Sequence, residues 1–131
     1  MDNRSEKMTH FISHVQIPVK NLEETIEWYV AYLDCEFLAN FGDFALIRFR
    51  EDRINIFLWQ TADETTATFS VKGELFPTIG FQVNDMDALC KKIVDSGARV
   101  YGDPLAPSVE EGRRFLKFFD LNGNMLVAHT E

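Results

Sequence analysis

A chain of 131 residues, 46% of them hydrophobic, is long enough for one packed domain and too short for two independent ones. Its formal net charge of −8, with no basic run beyond Lys91-Lys92 and Arg113-Arg114, excludes a nucleic-acid surface but not one buried cation that grips a small anion. Two cysteines give no disulfide framework, no apolar run reaches membrane-spanning length, and the polar start MDNRSEKM is unlike a signal peptide.

These features point to a cytoplasmic protein; Met8 is an alternative start, and residues 1–7 are expected to be frayed. The first strand is expected over His10–Val19. Phe11, Val15, Ile17 and Val19 share one parity there, and His14, Gln16 and Pro18 the other. Such a strand packs its apolar side on a helix and turns His14 and Gln16 elsewhere. Asn21 caps the helix that follows, Glu23 and Glu24 occupy its first turn, and Leu22, Ile26, Tyr29, Val30 and Leu33 form its buried stripe. Asp34-Cys35 ends it. Three short strands follow at Glu36–Asn40, Phe44–Arg50 and Arg53–Trp59, with turns at Phe41-Gly42-Asp43 and Glu51-Asp52. In the last strand Asn55, Phe57 and Trp59 lie opposite Ile54, Ile56 and Leu58. Gln60–Glu74 is threonine-rich without a lasting period and reads as a linker, or as a flap over a site.

The second half repeats the plan. Phe76–Val83 reads as a strand, and Asp85–Ser96 as a helix capped by Asn84 or Asp85 and closed by Gly97. Arg99–Tyr101, Arg113–Phe119 and Met125–His129 read as three more strands. A proline-containing loop spans Asp103–Ser108, and the turn Asp120-Leu121-Asn122-Gly123-Asn124 precedes the last strand. An offset of 64 residues superimposes Thr78 on His14, Val83 on Val19, Met86 on Leu22, Cys90 on Ile26, Ile93 on Tyr29 and Val94 on Val30. The chain is thus one strand-helix module written twice: module one over residues 8–60, a linker at 61–74 and module two over 75–131, with the site where the copies meet. Cys35 and Cys90 read as buried free thiols.

The order and spacing of HVQIPV with His14, LEETIEWYVAYLD, IGFQVNDMDAL, GRRFLKFFD and DLNGN resemble the vicinal oxygen chelate superfamily. Its members include glyoxalase I, extradiol dioxygenases, fosfomycin resistance enzymes and bleomycin resistance proteins. The resemblance implies an α+β fold of two βαβββ modules, whose mixed sheets are cupped around a ligand cavity. It also implies a homodimer, because many members build the cavity from two chains. In metal-dependent members four ligands, usually His, Gln or Glu, come from the first and last strand of each module. The match carries these positions onto His14, Asn55, Thr78 and Val127. Only His14 is an ordinary ligand; the Asn and Thr oxygens are weak donors for a transition metal, and valine offers nothing. Where the metal enzymes carry a glutamate after the turn, this chain carries Val127. A displaced set of His14, His129 and either Glu131 or Gln82 is the alternative, but two residues along a strand span roughly 7 Å, too far for one ion without a shifted register. His10 precedes the strand and reads as solvent-exposed.

The expected ligand-binding face comprises His14, Gln16, Asn55, Phe57, Trp59, Thr78, Gln82 and His129, with Arg48 available to a carboxylate or phosphonate. Each has a structural reading too. Phe57 and Trp59 suit a core or dimer interface, Asn55 and Gln82 suit strand-end backbone, His14 suits a relic of a metal site, and Arg48 suits the solvent face. One of Arg113 and Arg114 must face out of the sheet. No glycine-rich phosphate loop or nucleophile elbow is present, and Glu23-Glu24 and Glu110-Glu111 read as solvated charge. The expectation is a metal-independent, small-molecule-sequestering protein without a cofactor, its acidity favouring a cationic or partly aromatic ligand. Against it stand a metal-dependent glyoxalase- or dioxygenase-type enzyme using Zn, Fe, Mn or Ni, and a metal-free lyase or isomerase with His14 or His129 as general base.

Overall fold

The computed structural model describes residues 7–103 and 106–131; residues 1–6 of the expected frayed terminus, and positions 104 and 105 of the Asp103–Ser108 loop, lie outside the described residues. Module one contains β1 (His14–Val19), α1 (Leu22–Leu33), β2 (Glu36–Asn40), β3 (Phe44–Arg48) and β4 (Asn55–Gln60). Its sheet runs β1-β4-β3-β2, with β1 parallel to β4 and the other neighbours antiparallel. A parallel pair needs a crossover, and α1 supplies it. Asn21 Oδ1 caps α1 by accepting from Glu24 N at 3.0 Å, and Asp34 closes it in the left-handed region at φ 56°.

A hairpin of β5 (Phe69–Val71) and β6 (Glu74–Phe76) precedes module two, which contains β7 (Ile79–Gln82), α2 (Met86–Ser96), β8 (Val100–Tyr101), β9 (Ser108–Glu110), β10 (Arg113–Phe119) and β11 (Met125–His129). The order β7-β11-β10-β8 repeats that of module one, with β9 added beside β10 and β7 parallel to β11. The fold is therefore α+β with paired βαβββ modules, as the repeat predicts. Neither helix is long and apolar enough to cross a membrane.

Alternating parity decides which side of each sheet is buried. Ile17, Val19, Ala45, Ile47, Ile56 and Leu58 of sheet one join Leu116, Phe118, Leu126 and Ala128 of sheet two in a single core cluster. Leu22, Trp28, Tyr29, Met86, Cys90 and Ile93 of the helices belong to the same cluster, and α1 contacts α2. Phe81 stacks on Phe49 at 4.7 Å and meets Phe118 edge-on at 6.2 Å, which ties the modules together. Each sheet thus spends one face on a shared core and keeps the other outside it. Cys35 and Cys90 are buried free thiols.

The DLNGN turn latches module two to module one. Asp120 Oδ2 accepts from Tyr29 Oη at 2.6 Å and Asn124 Nδ2 at 3.1 Å, while Oδ1 accepts from the backbone of Asn122 at 2.7 Å and Asn124 at 3.1 Å. Asn124 Nδ2 also donates to Pro18 O at 2.8 Å, and Asn122 Oδ1 accepts from Lys20 N at 2.8 Å.

Several expectations need correction. The α1 stripe is rotated: Trp28 and Thr25 are buried, whereas Val30 is 40% exposed, because α1 serves the sheet and also reaches Phe118 and Asp120 of module two. Val94 of α2 is likewise exposed. Gln60–Glu74, expected without strands, holds β5 and the start of β6; the turn Lys72-Gly73 has φ of 51° and 83°, the positive pair a two-residue hairpin demands. The expected strand Phe76–Val83 is broken at Pro77-Thr78, since proline has no N–H to donate and Thr78 Oγ1 bonds the Ala67 carbonyl instead. Strand one starts at His14 rather than His10. The expected loop Asp103–Ser108 runs into β9, whose pairing with β10 the local sequence does not announce.

Candidate functional site

On sheet one, His14, Gln16, Asn55, Phe57, Trp59, Phe44, Leu46 and Arg48 share the face turned away from the core, as their parities require. Four of these side chains stack in a run. His14 lies 4.4 Å from Phe57, Phe57 lies 5.6 Å from Phe44, and Phe44 lies 4.4 Å from Trp59, all within 25° of parallel. Phe41 extends the run at 4.9 Å from Phe44. Trp59 is 39% exposed, and its Nε1 donates to Gln16 Oε1 at 2.6 Å, which fixes the indole plane. Phe57 and Trp59 are therefore not core residues. Phe44 and Phe41 were missed as site residues, although Phe44 shares the parity of Arg48. Arg48 Nε is already engaged by Glu36 Oε2 at 3.0 Å, a partner that two strands of sequence separate from it.

On sheet two, Val127, His129, Phe115, Lys117 and Arg113 share the corresponding outward parity, with Gly80 opposite Val127 and Gln82 opposite His129. Arg114 faces the other way and pairs with Asp87 of α2 at 2.9 Å. Thr78 precedes β7, with its hydroxyl on Ala67 O. Asn55 and Gln82 side chains form no hydrogen bond among the described residues, so neither serves the strand-end backbone. The candidates thus assemble as two groups, one per sheet. The chain does not bring His14 together with His129, because the shared core lies behind both of their sheets.

A cleft of about 880 Å³ opens where the modules part, between Val15, Ile54 and Ile56 on one side and Ile79, Phe81 and Leu89 on the other. Among the candidates only Thr78 and Gln82 line it. Val15, Phe49, Ile79 and Phe81 pack against the core, so its walls are the core's margins rather than the ring-bearing face.

A repeated βαβββ chain whose two sheets share one core and turn a ring-rich and a cation-bearing face outward defines a paired-module fold. The chain belongs to the Glyoxalase/Bleomycin resistance protein/Dioxygenase superfamily, whose family model matches residues 11–127. Among solved structures, a member of that superfamily from Sphaerobacter thermophilus DSM 20745 superimposes with a TM-score of 0.75 at 19% identity, over 95% of this chain and 100% of the other. The fosfomycin resistance protein FosX from Listeria monocytogenes matches with a TM-score of 0.74 at 17% identity, covering 95% of both chains. TnmS3, an antibiotic binding protein from Streptomyces sp. CB03234, matches with a TM-score of 0.71 at 16% identity, over 95% of this chain and 98% of the other. At these identities the likeness is one of fold. No curated protein matches the chain.

The residues present do not fit the metal that some members of this family hold. Strand register first moves one of the four positions. Gln16 faces Phe57 as Gly80 faces Val127, and the 64-residue offset carries Gly80 onto Gln16, so the counterpart of Val127 is Phe57 rather than Asn55. Two of the four positions are then hydrocarbon. The Phe57 ring lies flat against His14, whose Nδ1 is 2.8 Å from Ser13 Oγ. Val127 Cγ1 would stand 3.1 Å from a Cβ placed on Gly80, so that corner is filled as well. The displaced alternative fares no better: His129 Nδ1 bonds Thr130 O at 2.8 Å, and Glu131 is exposed beyond the strand. No three His, Cys, Asp or Glu side chains converge among the described residues. Elemental analysis after dialysis against Zn²⁺, Fe²⁺, Mn²⁺ and Ni²⁺ is expected to find no stoichiometric metal; retained metal that His14→Ala abolishes would reverse this reading.

Proposed function

We propose that this chain is a metal-independent binding protein that sequesters a small, planar, at least partly aromatic molecule. It does so as a homodimer in which the outward face of one protomer's sheet covers that of its partner. The observation that carries this reading is the run of stacked rings on sheet one, from His14 through Phe57 and Phe44 to Trp59, outside the core and oriented by the Gln16 hydrogen bond. Rings stacked on one another turn their edges outward and leave free the outer faces of the end rings, His14 and Trp59, on which a planar guest can stack, and a few polar groups around them supply orientation. Exposed aromatic surface of this extent on an acidic chain calls for cover, and both site faces point away from the chain's own core. The antibiotic binding protein among the neighbours is an instance of this fold serving binding, which supports a binding role here. Two buried free thiols support a reducing, cytoplasmic setting.

The test is Trp59→Ala with the neutral fluorophore phenylnaphthylamine as ligand. Stability is expected to change by about 1 kcal/mol or less, as for a half-exposed side chain, while affinity falls about tenfold. Severe destabilisation with unchanged affinity would return Trp59 to a packing role. Sedimentation at micromolar concentration is expected to give twice the monomer mass; a monomer would remove the dimeric part of the reading.

A further inference from the structure

We propose that the molecule bound on these faces is an aromatic anion and that the Lys117 ammonium holds its negative group; this rests on the reading of the sheet faces as binding surfaces. Lys117 occupies the middle of β10, opposite Tyr101 on one side and Val127 on the other, so it stands on the outward face of sheet two. Its Nζ lies 4.6 Å from the Phe76 ring centroid and 5.7 Å from that of Tyr101. Ring faces attract an ammonium and hold it in place without neutralising it.

Among the described residues no carboxylate forms an ion pair with Lys117, in a chain with 21 acidic and 13 basic residues. Arg48, Lys92 and Arg114 are paired at 3.0, 2.9 and 2.9 Å, and the other unpaired basic side chains of the described residues are exposed, whereas Lys117 is half-buried. Val127 accounts for the difference locally. A glutamate at that position would sit directly opposite Lys117 across the strand pair and neutralise it, whereas valine leaves the ammonium half-buried beside hydrocarbon. Arg113 adds a second positive charge on the same face, four residues back along β10. A sulfonate, carboxylate or phosphonate placed there gains a charge-assisted hydrogen bond, and the rings beside it accept the aromatic body. The net charge of −8 slows the approach of an anion from afar, but at contact the local cation decides.

The test uses the full chain and two fluorophores with the same ring system, anilinonaphthalene sulfonate and neutral phenylnaphthylamine. The unmodified protein is expected to bind the sulfonate about tenfold more tightly than the neutral compound. Lys117→Gln should erase that preference and leave affinity for the neutral compound within about twofold, while Lys117→Arg should retain it. If Lys117→Gln weakens both equally, Lys117 acts through packing under Phe76 and Tyr101, and the inference is overturned. If the neutral compound binds in a Trp59-dependent way but the sulfonate shows no preference, this inference alone falls. Binding of neither compound removes the binding reading, and this inference with it.

Discussion

Replacing Asp120 with alanine is expected to destabilise the protein by about 4 kcal/mol, the largest loss foreseen for a single side chain. Asp120 is 7% exposed, and its two oxygens together accept four hydrogen bonds. One comes from Tyr29 Oη, whose residue is fully buried on α1; the other three come from the turn itself. Alanine would strand these donors where water reaches them poorly, and an unmet buried donor costs about 1–3 kcal/mol. Because Tyr29 belongs to module one and Asp120 to module two, the loss also loosens the modules against each other. Denaturant titration of Asp120→Ala beside Asp120→Asn measures this. Asparagine keeps the shape and part of the acceptor capacity, so it should fall between alanine and the original residue. A change below about 1 kcal/mol for alanine would mean that the turn is not a latch.

Raising the pH above 9 is expected to erode stability steadily. The Cys35 thiol is pushed from 9.0 up to about 12, first by burial and then by the charge of Asp34. The Tyr29 phenol is raised well above 10.0 by burial, and further by the charge of Asp120 and the hydrogen bond it accepts. In the unfolded chain both groups deprotonate at their ordinary values, while the native state retains the protons. The unfolded state therefore binds fewer protons, and stability falls as pH rises. Both contributions are fully present below pH 9. Cys35 alone costs about 1.4 kcal/mol per pH unit across its window, or about 4 kcal/mol by pH 12. Urea titrations from about pH 8 to 11 should show the decline. Cys35→Ala should make the decline between about pH 9 and 10 shallower, leaving there only the contribution of Cys90, whose thiol burial also pushes up, before Tyr29 adds its own from about pH 10. Identical profiles for the two proteins would show that Cys35 is not shielded as described.

Part of the candidate site was readable from the chain alone, because strand parity is local. His14 and Gln16 do share one face with Asn55, Phe57 and Trp59, and it lies away from the core as alternation requires. Parity could not say what such a face meets. Whether Trp59 was core or surface depended on what the second module does with its own sheet. Arg48, expected to await an anion, is met by Glu36 across the β2–β3 hairpin. Lys117 escaped notice because its partners Phe76 and Tyr101 arrive from a hairpin and a two-residue strand far from it in sequence. The only local sign was its parity with Phe115.

The sequence by itself determined the repeat, the two capped helices, the alternation of the strands and the DLNGN turn. All of these rest on interactions within a few residues, where side-chain period, capping and turn chemistry act directly. Only the tertiary structure decided the register that replaces Asn55 with Phe57 at the metal position, the sharing of one core by both sheets, and the isolation of Lys117 among rings. These depend on which strands become neighbours, and that choice is made by burying both modules' apolar faces together rather than by any local pattern.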